Sequence, residues 1–342
     1  MSEVKKILVT GGAGFIGAHT VVELLNSGYE PVIVDDFSRS DRTLLEGIAK
    51  VTKKEVSFFQ GDCTDKSFLQ KIFKSSGGFS AVLHFAAFKS VGESVEKPLD
   101  YYRNNVGSLV ALLEVMQEFK VSDLIFSSSC TVYGQPDLIP VDESAPFKRA
   151  ESPYGATKQF CERVLEDTFR HGFRIISLRY FNPIGAHPSA LLGELPIGAP
   201  NNLVPYITQT AAGVRDKLTV FGNDYNTPDG SCLRDFIHVV DLAQAHVKAM
   251  EYLAAGTKNS LFEAFNVGSG VGVSVLQLID KFVKVTGVQL PFVIGPRRSG
   301  DVEKVYADPA KVNKALNWRA KLSIEESLLH AWQWEKKIRN IA

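Results

Sequence analysis

The sequence predicts an α/β protein built on a doubly wound, Rossmann-like parallel sheet, followed by a smaller mixed α/β unit. Three observations carry this expectation. Short β-rich apolar runs alternate with helical patterns through the first 180 residues. A glycine-rich turn, "TGGAGFIG", joins the first such run to the first helical pattern. Past residue 182 the alternation stops, and a stretch dense in proline and glycine begins.

The runs are "KILVT" (6–10), "PVIVD" (31–35), "EVSFFQ" (55–60), "SAVLHFA" (80–86), "DLIFSSS" (123–129) and "FRIISLRY" (173–180). Each is bounded by turn residues and reads as a strand buried on both faces, as parallel strands are. Between them, "FIGAHTVVELLNSG" (15–28) and "DYYRNNVGSLVALLEVMQEF" (100–119) predict helices, the first ending in a capping glycine. Parallel neighbours need right-handed crossovers, so this alternation gives a doubly wound sheet. Residues 182–202 read as a long loop, and loops of that length inside compact domains are usually functional. Helices are expected around 203–213, 238–254, 274–287 and 322–339, with a short strand at 218–222. The division expected is 1–182 for the dinucleotide domain and 183–342 for the substrate domain, with about 238–267 returning to the first.

A chain of 342 residues, 45% apolar and 22% charged, suits one large soluble domain or two unequal ones. Its net charge is zero and like charges do not cluster, so neither nucleic acid nor an anionic membrane is indicated as partner. Cys63, Cys130, Cys161 and Cys232 form no Cys-x-x-Cys pair, which argues against zinc or a disulfide framework and fits a reducing compartment. The histidines lack metal spacing; no metal is expected, and His238 and His246 read as helix-packing residues. "MSEVKK" runs straight into the first strand, and no apolar run reaches membrane-span length, so a cytoplasmic location is expected.

Gly11, Gly14 and Gly17 sit where strand turns into helix. Small residues there let a pyrophosphate approach the backbone and rest on the helix N-terminus, with its free amide groups. Asp35 closes the second strand 18 residues after Gly17, placed to accept from adenosine ribose hydroxyls. Its charge also repels a 2′-phosphate, which favours NAD over NADP, although Arg39 and Arg42 follow closely. Asp62, after the third strand, stands either at the adenine end or simply in a turn.

Of ten tyrosines only Tyr154 has a lysine four residues on, and on the order of one such pair is expected by chance. Its setting gives it meaning. "SPYGATK" opens a helical segment (153–171) with Ser152 as N-cap and Pro153 at the first position, so Tyr154 and Lys158 share a helix face. Ser129 closes the fifth strand beside the cofactor. A tyrosine acting as base at neutral pH needs its pKa lowered by about 3 units, about 4 kcal/mol. One ammonium at about 5 Å, at an effective dielectric near 20, supplies about 3 kcal/mol. Lysine is thus expected nearly to suffice alone, and lysine with cationic nicotinamide to suffice.

The whole chain resembles the UDP-glucose 4-epimerase (UDP-galactose 4-epimerase) family of the extended short-chain dehydrogenase/reductase superfamily. The matches are "TGGAGFIG", "HFAAFKSVGESVEKPLDYY", "FSSSCTVYG", "SPYGATK", "LRYFNPIGAHPS", "PNNLVPYI", "FGNDY", "LRDFIHV" and "PRRSGD". The resemblance implies hydride shuttling between the sugar 4-position and tightly held NAD through a 4-keto intermediate, Tyr154 taking the hydroxyl proton with help from Ser129 and Lys158. It implies cofactor contacts from Phe15, Ile16, Asp35, Asp36, Asp62, Cys63, Phe85, Ala86, Ala87, Lys89, Asn104, Tyr180 and Phe181, besides the glycine turn and catalytic trio. For a UDP-hexose it implies Lys89, Asn182, Asn202, Leu203, Thr219, Val220, Phe221, Arg234, Arg298, Asp301 and Val305. It also implies a homodimer through helices 100–119 and 153–171.

Two positions depart from the family pattern. Cys130 replaces the usual alanine and reads as packing, with no histidine nearby in sequence to activate it. Val305 stands where a bulky tyrosine restricts the sugar pocket, so N-acetylhexosamines are expected to fit unless Tyr306 fills the space. Two rival readings lack support in the residues here. A 4,6-dehydratase carries an Asp-Glu pair after the threonine at the Ser129 position, and this chain reads Ser129-Cys130-Thr131. A noncatalytic NAD-sensing module would be free to lose Ser129, Tyr154 or Lys158, and all three are present.

Overall fold

A computed structural model describes residues 4–298 and 302–341. The first half runs β1 (Lys6–Thr10), α1 (Phe15–Asn26), β2 (Glu30–Asp35), α2 (Thr43–Thr52), β3 (Ser57–Gln60), α3 (Lys66–Ser75) and β4 (Ala81–His84). Then come α4 (Val91–Glu96), α5 (Pro98–Tyr101), α6 (Gly107–Glu118), β5 (Asp123–Ser129), α7 (Pro153–Thr168) and β6 (Arg174–Tyr180). The second half continues with β7 (Asn182–Ile184), α8 (Leu203–Ala211), β8 (Leu218–Phe221), β9 (Leu233–His238), α9 (Val239–Ala255) and β10 (Leu261–Val267). It ends with β11 (Gly272–Ser274), α10 (Val275–Thr286), β12 (Phe292–Gly295), β13 (Lys304–Val305), α11 (Ala310–Leu316) and α12 (Ile324–Arg339).

The large sheet has seven parallel strands in the order β10-β6-β5-β4-β1-β2-β3. Side chains alternate across it, as strand periodicity demands. Ile7 and Val9 pack with α1, α2 and α9 on one face, while Leu8 packs with α3, α6 and α7 on the other. The chain order reverses between β1 and β4, and such a switch point opens a crevice at the strands' carboxyl ends. The second half builds a small mixed sheet, β11-β9-β13 with β7 beside β9, and a separate β8–β12 pair.

Three expectations are corrected. β3 is not buried on both faces: it is the sheet edge, where Phe58 stays partly exposed under Arg42 and Phe37. The helix expected over 100–119 is broken, with one π turn at Tyr102–Val106 between α5 and α6. The helix expected over 153–171 ends at Thr168 and tightens into a 3₁₀ turn, Phe169–His171. After the smaller strands the chain returns to the large sheet: β10 is its outermost strand, and α9 shares a core with α1.

Candidate active site

The glycine turn is dictated by close approach. Gly11 has φ +71°, and a Cβ there would lie 2.7 Å from Ala86 N across the switch point. A Cβ on Gly17 would sit 2.3 Å from Gly11 O, so the helix start and the turn leave no room for a side chain. Gly14 differs. It is the N-cap of α1, makes no side-chain cap, and a Cβ would meet only Gly11 O at 3.2 Å. The first amides of α1, those of Phe15 and Ile16 among them, have no intrahelical acceptor, and a helix start left open in this way suits a pyrophosphate.

Asp35 is buried. Its Oδ1 accepts from Phe37 N at 3.0 Å and Ser40 Oγ at 2.7 Å, and its Oδ2 from Ala13 N at 3.0 Å. Burial raises its pKa and these donors oppose the rise. A carboxylate offers about four lone-pair sites, so capacity remains for one ribose hydroxyl. Asp36 instead closes a local turn on Ser38. Neither arginine waits for a 2′-phosphate: Arg39 pairs with Glu93 at 2.7 Å and stacks on Phe88, and Arg42 bonds Gln60. Asp62, Phe88 and Asn104 line a cavity of about 330 Å³ at this end. Cys63 is buried, and burial drives its thiol pKa far up.

Asn104 lies in the π turn, whose neighbour Asn105 was not expected to matter. Asn105 Oδ1 accepts from Phe88 N at 2.8 Å, and its Nδ2 donates to Phe88 O and Thr157 Oγ1, both at 3.0 Å. It thereby ties the Phe85–Lys89 segment, Ala87 included, to α7. π turns recur at functional sites, and a pair of adjacent asparagines in a helical pattern was the only sequence signal.

Ser129 ends β5 and Tyr154 stands in the first turn of α7, whose N-cap Ser152 accepts from Gly155 N at 3.2 Å. Lys158 is buried; its Nζ donates to Ser127 O at 2.6 Å and lies 4.9 Å from the Phe126 ring centre. Burial lowers its pKa to about 8. Burial pushes the Tyr154 phenol up to about 12, with the Ser129 hydroxyl pulling the other way. The expectation that lysine nearly suffices to acidify the tyrosine is thus overturned. The ammonium is engaged by the Ser127 carbonyl and the Phe126 ring, and desolvation of the phenolate outweighs what remains.

Behind the trio lies an ion pair that the sequence reading missed. Arg179 of β6 meets Glu162 of α7 through Nε at 3.0 and 3.1 Å and Nη2 at 2.6 Å, and both are buried. Glu162 also accepts from Ser128, next to Ser129. It lies one turn beyond Lys158 on the same face, and that spacing was the available signal. Tyr180 is buried and bonded to Ser127 beneath Lys158, a backing role rather than an exposed ligand face. Phe181 follows, anchored by Phe181 N to Val267 O at 3.3 Å.

On the opposite side, Asn202 and Leu203 start α8, and Asn182 opens β7 with its Oδ1 buried and without a partner. Thr131 Oγ1, two residues past Ser129, is likewise unpartnered. Thr219 and Phe221 lie on β8, but Val220 sits in the core, leaving only its backbone for a ligand. Arg298 stacks on Phe221 at 5.7 Å. Arg234 stands opposite Val305 in the β9–β13 register. Asp301 lies outside the described residues. His238 is buried, as a packing residue would be, and does more: it caps α9, accepting from Val240 N at 3.0 Å, and meets His330 at 3.0 Å. Among the described residues no cluster of His, Cys, Asp or Glu could hold a metal ion, and no helix is long and apolar enough to cross a membrane.

An open glycine turn, a buried carboxylate closing the second strand and a Ser-Tyr-Lys trio on one sheet edge fit a dinucleotide-dependent class of enzyme, and residues 8–330 match the GDP-mannose 4,6 dehydratase family. UDP-glucose 4-epimerase 2 of Arabidopsis thaliana is 49% identical over 96% of this chain and 95% of its own. The UDP-glucose 4-epimerase of Bifidobacterium longum, crystallised with NAD+ and UDP, superposes with TM-score 0.94 at 43% identity, covering 98% of this chain and 100% of that one. The Stenotrophomonas maltophila enzyme, with NAD and formylated UDP-arabinopyranose, gives 0.94 at 44% identity over 99% and 100%. The chain belongs to the UDP-glucose 4-epimerase family.

Proposed function

We propose that the protein interconverts UDP-galactose and UDP-glucose at carbon 4 of the hexose, with retained NAD. The observation that carries this reading is the juxtaposition of Ser129 and Tyr154 at the sheet edge, with Lys158 buried behind them and the open glycine turn beside them. Gly14, Phe15, Ile16 and Asp35 would hold the dinucleotide. When bound, NAD+ supplies the hydride acceptor, later the donor, and a positive charge near the phenol. With that charge added the phenol would give up its own proton to solvent; as phenolate, Tyr154 takes the 4-hydroxyl proton while Ser129 holds the same oxygen, and it gives the proton back when the ketone is reduced from its other face. Lys158 keeps a cation behind the phenol and would hold the cofactor ribose. Cys130 and Thr131 occupy the place where a dehydratase carries its acid/base pair, so elimination of water has no proton carrier here.

Asn202, Arg234 and Arg298 would bind the diphosphate, for which arginine forks are suited. N-acetylhexosamine substrates as well are part of this reading, supported by the small side chain of Val305 where the family pattern has a tyrosine. It is buried beside Phe181 and Cys130, while Tyr306 packs over Gly272 on the other side of the strand. A homodimer is supported by apolar side chains left outside on α6 and α7, with Phe160 54% and Val110 39% exposed. Light scattering reads that assembly directly. A cytoplasmic location completes the reading, testable by fractionation. The decisive experiment incubates purified protein with UDP-galactose and no added cofactor, followed by proton NMR. UDP-glucose should appear; no conversion even with NAD supplied would leave only a binding module.

A further inference from the structure

The stretch between β7 and α8 is held more firmly than its proline and glycine content suggests. Ala186 and Gly193 form an antiparallel bridge, and His187 N donates to Leu192 O at 2.8 Å. Gly193 lies flat against Trp334 of α12, since a Cβ there would be 2.5 Å from the indole ring. Trp334 is buried, and its Nε1 donates to the Glu194 carbonyl at 2.8 Å. The strap therefore delivers the Glu194 side chain to a fixed place at the cleft.

Glu194 Oε1 accepts twice, from Lys89 Nζ at 2.9 Å and from Asn202 Nδ2 at 2.7 Å. The donors come from opposite walls, Lys89 from the loop after β4 and Asn202 from the start of α8. Asn202 occupies an N-cap position without capping. Asparagine usually caps there, so its engagement with Glu194 breaks a local preference, as functional positions do. The Glu194 side chain is 12% exposed and that of Lys89 55%, so the carboxylate is the anchor and the lysine is what it holds.

We infer that Glu194 is a positioning residue of the nucleotide-sugar site, holding Lys89 and Asn202 across the cleft ahead of the ligand. The identity of that ligand rests on the epimerase reading. Each bond to Glu194 takes one donor, leaving two on the lysine ammonium and one on the amide for phosphate or sugar oxygens. Side chains ordered in advance lose less freedom when the ligand arrives. Among the described residues the hydrogen bonds of Glu194 go to Lys89, Asn202 and Trp334, not to Ser129, Tyr154 or Lys158. Its loss should therefore act on binding, not on the chemical step.

The test uses the full chain with Glu194→Ala and Glu194→Gln, titrated with UDP by calorimetry and assayed with UDP-galactose. Glu194→Ala should weaken UDP binding and raise KM by roughly tenfold, the cost of re-ordering two side chains, with kcat within about threefold. Glu194→Gln keeps an acceptor oxygen in place and should recover most of the loss. Unchanged UDP affinity and KM in Glu194→Ala, or a kcat loss at constant KM, would overturn the inference. So would Glu194→Gln as weak as alanine. If the wild-type chain binds UDP but does not epimerise, the functional reading fails while the titration still judges Glu194. No UDP binding by wild type would sink both.

Discussion

The two walls of the cleft are built differently. On the large-sheet side each reacting group is backed by buried bonds: Lys158 on Ser127 O, Tyr180 on Ser127, Ser128 and Arg179 on Glu162. Asp35 is held by three donors. On the other side, Phe221 and Arg298 stack near solvent, and Asn202 is held by a single carboxylate on a loop. Burial fixes position at the cost of desolvation, which is why Tyr154 and Lys158 of the first wall also carry displaced pKa values. A wall that must place a proton to within tenths of an ångström is built rigidly. A wall across which a ketone must turn over is not.

The comparison breaks most visibly at Tyr154. Replacing it with phenylalanine removes the proton carrier and leaves the helix start intact. We expect kcat for UDP-galactose to fall by roughly 10² to 10⁴, the usual span for losing a general acid–base. UDP affinity measured by calorimetry should stay within about twofold, because the nucleotide is gripped by the other wall. A comparable fall in UDP affinity would show that the walls do not act separately, and full retained turnover would end the proposed chemistry.

The fold was legible because its signals are local. Apolar runs of strand length, a glycine turn at a strand end and the Ser152-Pro153 helix start each depend on neighbours in sequence. What the sequence hid depends on neighbours in space. That β3 is an edge strand follows from sheet order, which no periodicity encodes. The pairing of Glu162 with Arg179 joins residues 17 apart in sequence on different elements. Glu194 sits in a loop with no pattern to single it out. The tyrosine pKa shows the sharpest limit: a Coulomb estimate from spacing captures the favourable neighbour and omits the desolvation that only burial reveals.

A smaller effect concerns acid stability. Burial lowers His19 and His246 to about 4, and His84 and His238 to about 3. His84 and His246 lie behind the cofactor wall, and His238 sits at the junction of the walls, against His330. In the unfolded chain each titrates near 6.5, so below that pH the unfolded state binds more protons than the folded one. Stability should therefore rise with pH from about 4 to 6.5 and fall as pH drops through that range, each histidine adding up to about 1.4 kcal/mol per unit. Asp35 and Asp235, raised by burial, oppose this near the low end, so melting temperatures at pH 7.5, 6.5 and 5.5 give the clean comparison. A flat series would mean that these histidines are solvated or paired in solution.

The smallest effect tests the packing where the two walls meet. Val305 is buried among Val132, Tyr133, Val141, Phe181 and Ala307, with Cys130 half-buried alongside. A tyrosine there adds a ring to a filled cluster, and overpacking of that kind costs about 1–3 kcal/mol of stability. The rate alone is thus a poor readout, because a loosened cleft slows every substrate. The ratio is sharper. Val305→Tyr should lower kcat/KM for UDP-GalNAc at least tenfold relative to UDP-galactose, within the span that pocket size alone can discriminate. An unchanged ratio would mean that the acetyl group lies elsewhere. Failure of the wild-type enzyme to turn over UDP-GalNAc at all would show that valine is spacing a core, not opening a pocket.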